Sequence, residues 1–205
     1  MRDLGTYGIT IVDFSTGIWS LLELVTFLQG ASDLRAAMRW SIAEFRDNIG
    51  AVHARQSKDQ LGSAMVGTAA SALSTPSGKG YTDMVFYQDA IGGVDKGNTK
   101  FFLSTAVHEL AHAWDFNRGG AMSVGMMAAT GSYYDPKKVK RNKDGSINVG
   151  YVAVGRTPPY GQTNHAEDWA DSVSAYVYDQ SLIDTNRINY IKNPGGGGGG
   201  SGGKR

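Results

Sequence analysis

The chain contains only four histidines, and two of them stand in His108-Glu109-Leu110-Ala111-His112. Residues four apart on an α-helix lie one above the other on nearly the same face. Two imidazoles placed that way can hold one metal ion together, and Glu109, beside the first, can reach a water on that metal. This is the H-E-x-x-H arrangement of zinc hydrolases, and the chemistry it suggests is metal-assisted hydrolysis. The competing reading is a coincidental histidine pair. Against it, Phe102, Ala106, Leu110, Ala113 and Trp114 recur at helical spacing and give the same helix an apolar back.

Two histidines hold zinc weakly, and catalytic sites use three protein ligands and leave a position for water. A third histidine in the spacing His-x-x-Gly-x-x-His would fall at position 118, which is Arg118 and cannot ligate. The remaining option is a carboxylate from a separate helix. Glu167 is the candidate, in Asn164-His165-Ala166-Glu167-Asp168-Trp169-Ala170-Asp171. Its rival role is structural, because Asn164-x-x-Glu167 is also a capping-box pattern. Asp171, one turn beyond Glu167, can accept the other ring N–H of a ligating histidine and fix its tautomer. Asp115, three residues after His112, can do the same or tie the two helices together. His165 is a rival to Glu167 as third ligand, though it faces elsewhere on the helix, and His53, in a strand, reads as structural or exposed.

These groups need elements to carry them, and the chain reads as α+β with helices in the majority. Tyr7 to Phe14 predicts a first strand. Ser15 or Thr16 would cap a helix from near Ile18, which Gly30 would stop. Ser32 would cap the next, with Leu34, Met38, Ile42 and Phe45 on its apolar face. Ile49 to Ala54 predicts a strand, residues 56–80 a loop with at most one short helix, and Tyr81 to Asp89 another strand, the candidate edge for an extended peptide. The metal helix runs from about Lys100 to Asn117. A short helix covers Met122 to Thr130. Lys137 to Asp144 is basic and turn-like, with Asp144-Gly145 as a hairpin signal, and Val149 to Val154 is a strand. A strong helix covers His165 to Tyr178, and Leu182 to Ile191 is helical.

The segment His108-Glu109-Leu110-Ala111-His112-Ala113-Trp114-Asp115, followed by Tyr160-Gly161-Gln162-Thr163-Asn164-His165-Ala166-Glu167-Asp168-Trp169-Ala170-Asp171, resembles the anthrax lethal factor-like catalytic domain, a family that includes the Pro-Pro endopeptidases. That family shares a Tyr-Gly-x-Thr-Asn segment leading into the helix with the third zinc ligand. The resemblance covers about residues 81–180. It implies a zincin-like fold with a small mixed sheet. It also implies a zinc ion held by His108, His112 and Glu167, Glu109 as general base, and Tyr160 as a hydroxyl assisting the transition state. By itself, Tyr160 in a Pro-Pro-Tyr-Gly loop is one tyrosine of ten, and Tyr133, Tyr134 and Tyr151 stand as alternatives for its role. Two outer positions depart from the family: Asp171 stands where lethal factor itself has glutamate, and His165 replaces a glutamate. Ligation survives both, but substrate choice does not transfer.

Composition narrows the remaining classes. The 205 residues fit one domain, expected over 1–193, with the glycine-rich stretch 194–205 as a disordered tail. A net charge of +1 gives no reason to expect nucleic-acid binding, and the basic run Lys137 to Lys143 lacks interleaved aromatics. The absence of cysteine excludes thiolate ligands and disulfides. No apolar run reaches membrane-spanning length, and the first residues lack a signal-peptide pattern. The chain fits a cytoplasmic protein and equally a piece of a longer exported one. The expected partner is a peptide or protein substrate, and oligomeric state is open. The rival class is a non-catalytic zinc-containing peptide-binding or toxin-type interaction domain, in which Glu109 would have no task as a base.

Overall fold

The computed structural model describes residues 2–12, 19–57, 70–74, 81–87, 94, 97–141 and 147–194. Local signals place most helix ends. Ser20 and Ser41 each form a capping box, with Glu23 and Glu44 respectively, and open α2 (Leu21–Ala37) and α3 (Ile42–Ile49). These follow a short α1 (Arg2–Thr6) and β1 (Ile9–Ile11). Gly30 does not stop a helix. It lies inside α2, where a Cβ would come 3.2 Å from Ala106 Cβ on the helix that carries His108 and His112, so its missing side chain lets two helices approach closely. Ser32 is accordingly a mid-helix residue, and the break falls at residues 38–41. Ser15 and Thr16 lie outside the described residues.

After α3 come β2 (Ala51–Ser57), β3 (Ala70–Ser74) and β4 (Tyr81–Tyr87). They form with β1 a four-stranded mixed sheet in the order β1-β2-β4-β3, in which β3 alone runs antiparallel to its neighbour. Two expectations change here. Residues 70–74 are a strand where a loop was expected. And β4, expected as an open edge, is paired on both sides, so β3 takes the edge.

The sheet packs on α2 and on α4 (Thr99–Asn117), which carries His108 and His112, through Phe27, Phe86 and Phe102. Rings of Phe27 and Phe86 lie 5.2 Å apart, and those of Phe86 and Phe102 5.3 Å apart, in edge-on contacts that anchor α4. Beyond α4 follow α5 (Ala121–Thr130), an antiparallel hairpin of β5 (Tyr133–Arg141) and β6 (Ile147–Val152), α6 (His165–Tyr178) and α7 (Thr185–Lys192). Lys137, Lys138, Lys140 and Arg141 therefore belong to a strand rather than a turn. Asp144 and Gly145, Lys143, and residues 195–205 of the expected tail lie outside the described residues. Among the described residues no helix is long and apolar enough to cross a membrane.

Candidate metal centre

Helix α6 is laid against α4 by apolar packing with polar pins. Trp114 and Trp169 meet edge-on at 4.9 Å, and the Trp169 indole N–H donates to Ala111 O at 3.0 Å. Farther along, Ser174 Oγ donates to Ser104 O at 3.0 Å. The N-terminus of α6 is fixed by Asn164, whose Oδ1 accepts from the amides of Ala166 and Glu167 at 2.9 and 3.0 Å. That half of the capping pattern is present. Glu167, however, directs Oε2 at the histidines of α4.

The result is a tight triangle. Glu167 Oε2 lies 3.0 Å from His108 Nε2 and 3.2 Å from His112 Nε2, and the two Nε2 atoms are 3.1 Å apart. Among the described residues this is the one group of three histidine or carboxylate ligands that could hold a metal. A tetrahedral zinc with bonds of about 2.0–2.1 Å separates its donors by about 3.3 Å, so the spacing fits that ion. The chemistry of the donors fits too. Asp171 Oδ1 sits 2.9 Å from His108 Nδ1, which holds one ring proton there, so that Nε2 is the nitrogen left to bind a cation once its own proton is lost. Ring nitrogens and a carboxylate oxygen converging this closely require positive charge between them, from protons or a cation.

Without a metal, protons serve. Burial pushes His108 down, but its hydrogen bonds to Asp171 and Glu167, with the charge of Glu109, outweigh that and raise its pKa to about 10. For Glu167 burial pushes up, while hydrogen bonds from His108 and His112 prevail and lower it to about 2. The metal-free pair is thus an imidazolium and a carboxylate at neutral pH. Glu109, on the same helix between the two histidines, is 3 % exposed.

Tyr160 sits in a 3₁₀ turn, Tyr160–Gln162, just before α6. Its ring lies 6.0 Å from that of His108. Burial, followed by the negative charges of Glu167, Glu109 and Asp171, raises its pKa to about 12. The residue as a whole is 57 % exposed, so burial acts only partly; the three carboxylates act in the same direction and hold the phenol protonated. The turn is tethered to the candidate ligand group, because Gly161 N–H donates to Asp171 Oδ2 at 2.7 Å. Asp171 thereby connects His108 to the Tyr160 turn with its two oxygens.

Asp115 is placed differently from expectation. Its Oδ1 accepts from the amides of Met122 and Ser123 at 2.9 and 3.0 Å, so it caps α5 and hydrogen-bonds to neither histidine. The chain reverses at Gly119 and Gly120, both at positive φ, and this brings the start of α5 back onto Asp115. His112 Nδ1 has no hydrogen-bond partner among the described residues, so His112 lacks the outer support that Asp171 gives His108. His165 bonds through Nδ1 to Tyr134 OH at 2.6 Å, and His53 stacks on Tyr81 at 3.8 Å. Arg118 binds Asp47 and Asn48 at the end of α3.

Asp168 and Arg187, neither of them singled out by the sequence motifs, are both fully buried and paired at 2.6 Å. A pair nineteen residues apart carries no periodic signal; the only hint was an acidic residue on the apolar side of a strong helix. No family model matches the chain, and no curated protein or solved structure matches it.

Proposed function

We propose that this protein is a zinc-dependent endopeptidase with a zincin-like fold, of the lethal factor-like type that its motifs resemble. The observation that carries the reading is the triangle of His108 Nε2, His112 Nε2 and Glu167 Oε2, with Glu109 beside it on the same helix. Those three residues would hold zinc. When bound, zinc supplies Lewis acidity toward a carbonyl oxygen and acidifies water.

The chain's own groups divide the remaining work. Glu109 takes the proton of the attacking water and later delivers it to the departing amine. Tyr160, protonated through neutral pH, donates a hydrogen bond to the oxygen that becomes negative in the transition state. Asp171 keeps the His108 proton on Nδ1 and so keeps Nε2 available as a ligand. An extended substrate would pair with β3, the sheet edge that lies beside α4.

The test is zinc content by elemental analysis together with cleavage of a peptide library by the zinc-loaded chain. The reading expects one zinc per chain, peptide-bond cleavage, and loss of cleavage with zinc retained in Glu109→Gln. Zinc binding without any cleavage, unaltered by that substitution, supports the non-catalytic interaction domain instead. Glu167→Ala with undiminished zinc affinity removes the third ligand.

A further inference from the structure

The segment that delivers Tyr160 is fastened to α6 at two carboxylates, not one. Asp171 holds Gly161 from one turn of the helix. Asp168, one turn earlier, takes Thr157 Oγ1 at 2.6 Å. Asp168 is fully buried, and each oxygen is engaged: Oδ1 by Thr157, Arg187 Nε at 2.9 Å and Ser172 Oγ at 3.3 Å, Oδ2 by Arg187 Nη2 at 2.6 Å and Tyr151 OH at 2.7 Å. Arg187 comes from α7, the last described helix, and its Nη1 also donates to Val154 O at 2.7 Å, at the start of the same segment. Residues 154–161 are thus gripped at Val154, Thr157 and Gly161. The fit at the end of this grip is close: a Cβ on Gly161 would lie 2.7 Å from Thr157 Oγ1 and 3.1 Å from Asp168 Cα.

This arrangement exceeds what is needed to hold α6 and α7 together. A bidentate guanidinium alone would neutralise Asp168. Thr157 and Val154 belong to neither helix, and their bonds set where the chain leaves the β5–β6 hairpin and how it enters the Tyr160 turn.

We propose that Asp168, presented by Arg187, is a positioning residue that sets Tyr160 beside the metal ligands by holding Thr157. The inference rests on the endopeptidase reading for its catalytic part; the clamp itself does not. It makes α7 part of the site's assembly although α7 supplies no group to the reacting atoms.

The experiment uses the zinc-loaded full chain with Thr157→Ala, which removes one of five hydrogen bonds to Asp168 and introduces no clash, and Thr157→Ser, which keeps the hydroxyl. Zinc content, peptide cleavage and amide hydrogen exchange are measured for each, alone and with Tyr160→Phe. The expected result for Thr157→Ala is faster exchange at residues 161–163 with α6 unchanged, unchanged zinc content, and kcat lowered about tenfold at constant KM. Thr157→Ser restores both readouts, and Thr157→Ala causes no further loss when Tyr160 is already Phe. Wild-type exchange in Thr157→Ala overturns the clamp. An equal loss of kcat in the Tyr160→Phe background overturns the positioning of Tyr160. A wild-type chain that binds zinc and cuts nothing overturns the endopeptidase reading and the catalytic part with it, while the exchange result still decides the clamp.

Discussion

Asp171→Asn is the substitution whose outcome the geometry defines most narrowly. The carboxylate has two oxygens and each accepts from a donor: His108 Nδ1–H at 2.9 Å and Gly161 N–H at 2.7 Å. An asparagine of the same size has one acceptor oxygen and one NH₂ group. Whichever way the amide turns, one of the two donors faces another donor. If the oxygen stays with Gly161, His108 loses the bond that fixes its tautomer and strengthens Nε2 as a ligand. If the oxygen stays with His108, the Tyr160 turn is released, and the ligand still loses the negative charge behind it. Removing such an outer partner costs about 10–100-fold in metal affinity, or roughly 1.4–2.7 kcal/mol. The assay is competition for zinc against a chelator of known affinity at fixed pH, with circular dichroism to confirm that the helices persist. Zinc affinity within twofold of wild type would refute the role assigned to Asp171 and weaken the metal reading of His108.

Other expectations follow from the same contacts. Zinc binding near pH 7 should release close to one proton, because His108 in the metal-free chain titrates at about 10; calorimetry in buffers of different ionisation enthalpy measures it, and no buffer dependence contradicts the assignment. The raised His108 pKa makes a contribution to metal-free stability that is full below pH 6.5 and lost as pH rises through about 10. The lowered Glu167 pKa makes one that is full above pH 4.5 and lost as pH falls through about 2. The increase in melting temperature on adding zinc should therefore grow from pH 6.5 to pH 9, and a constant increase would count against the pair. Glu109→Gln should keep zinc and lower kcat by about 10²–10⁴, and Tyr160→Phe by about 10²–10³; cleavage at the wild-type rate removes either from the mechanism. Arg187→Met should cost about 3–5 kcal/mol in urea unfolding, since it leaves Asp168 buried without its cation; a loss under 1 kcal/mol would show that Asp168 finds water or a proton cheaply.

Local chemistry was legible wherever its geometry closes within a few residues. Helical spacing alone places His108 and His112 on one face, and Asn164 ahead of an apolar-periodic run marks the start of α6, because a cap and a helical turn span three or four residues. Signals tied to one residue type misled where packing outweighed them. Gly30 looks like a stop, yet it is a contact point with Ala106 inside a continuous helix. Asp115 sits at metal-facing spacing, yet the turn at Gly119-Gly120 hands it the start of α5. Strand order is invisible to periodicity, so β4 could be recognised as a strand but not as an interior one. The convergence of Glu167 on histidines 55 and 59 residues earlier depends on the packing of Trp114 against Trp169 and of Ser104 against Ser174. The same packing decides that Asp171 meets His108, and the contact of Tyr190 with Trp169 seats α7 where Arg187 reaches Asp168. Sequence determined which side chains could act as ligands and base, since that is a property of residue type and short spacing. Only the tertiary structure decided which of them meet, because contacts between distant segments are selected by burial of the whole apolar surface at once.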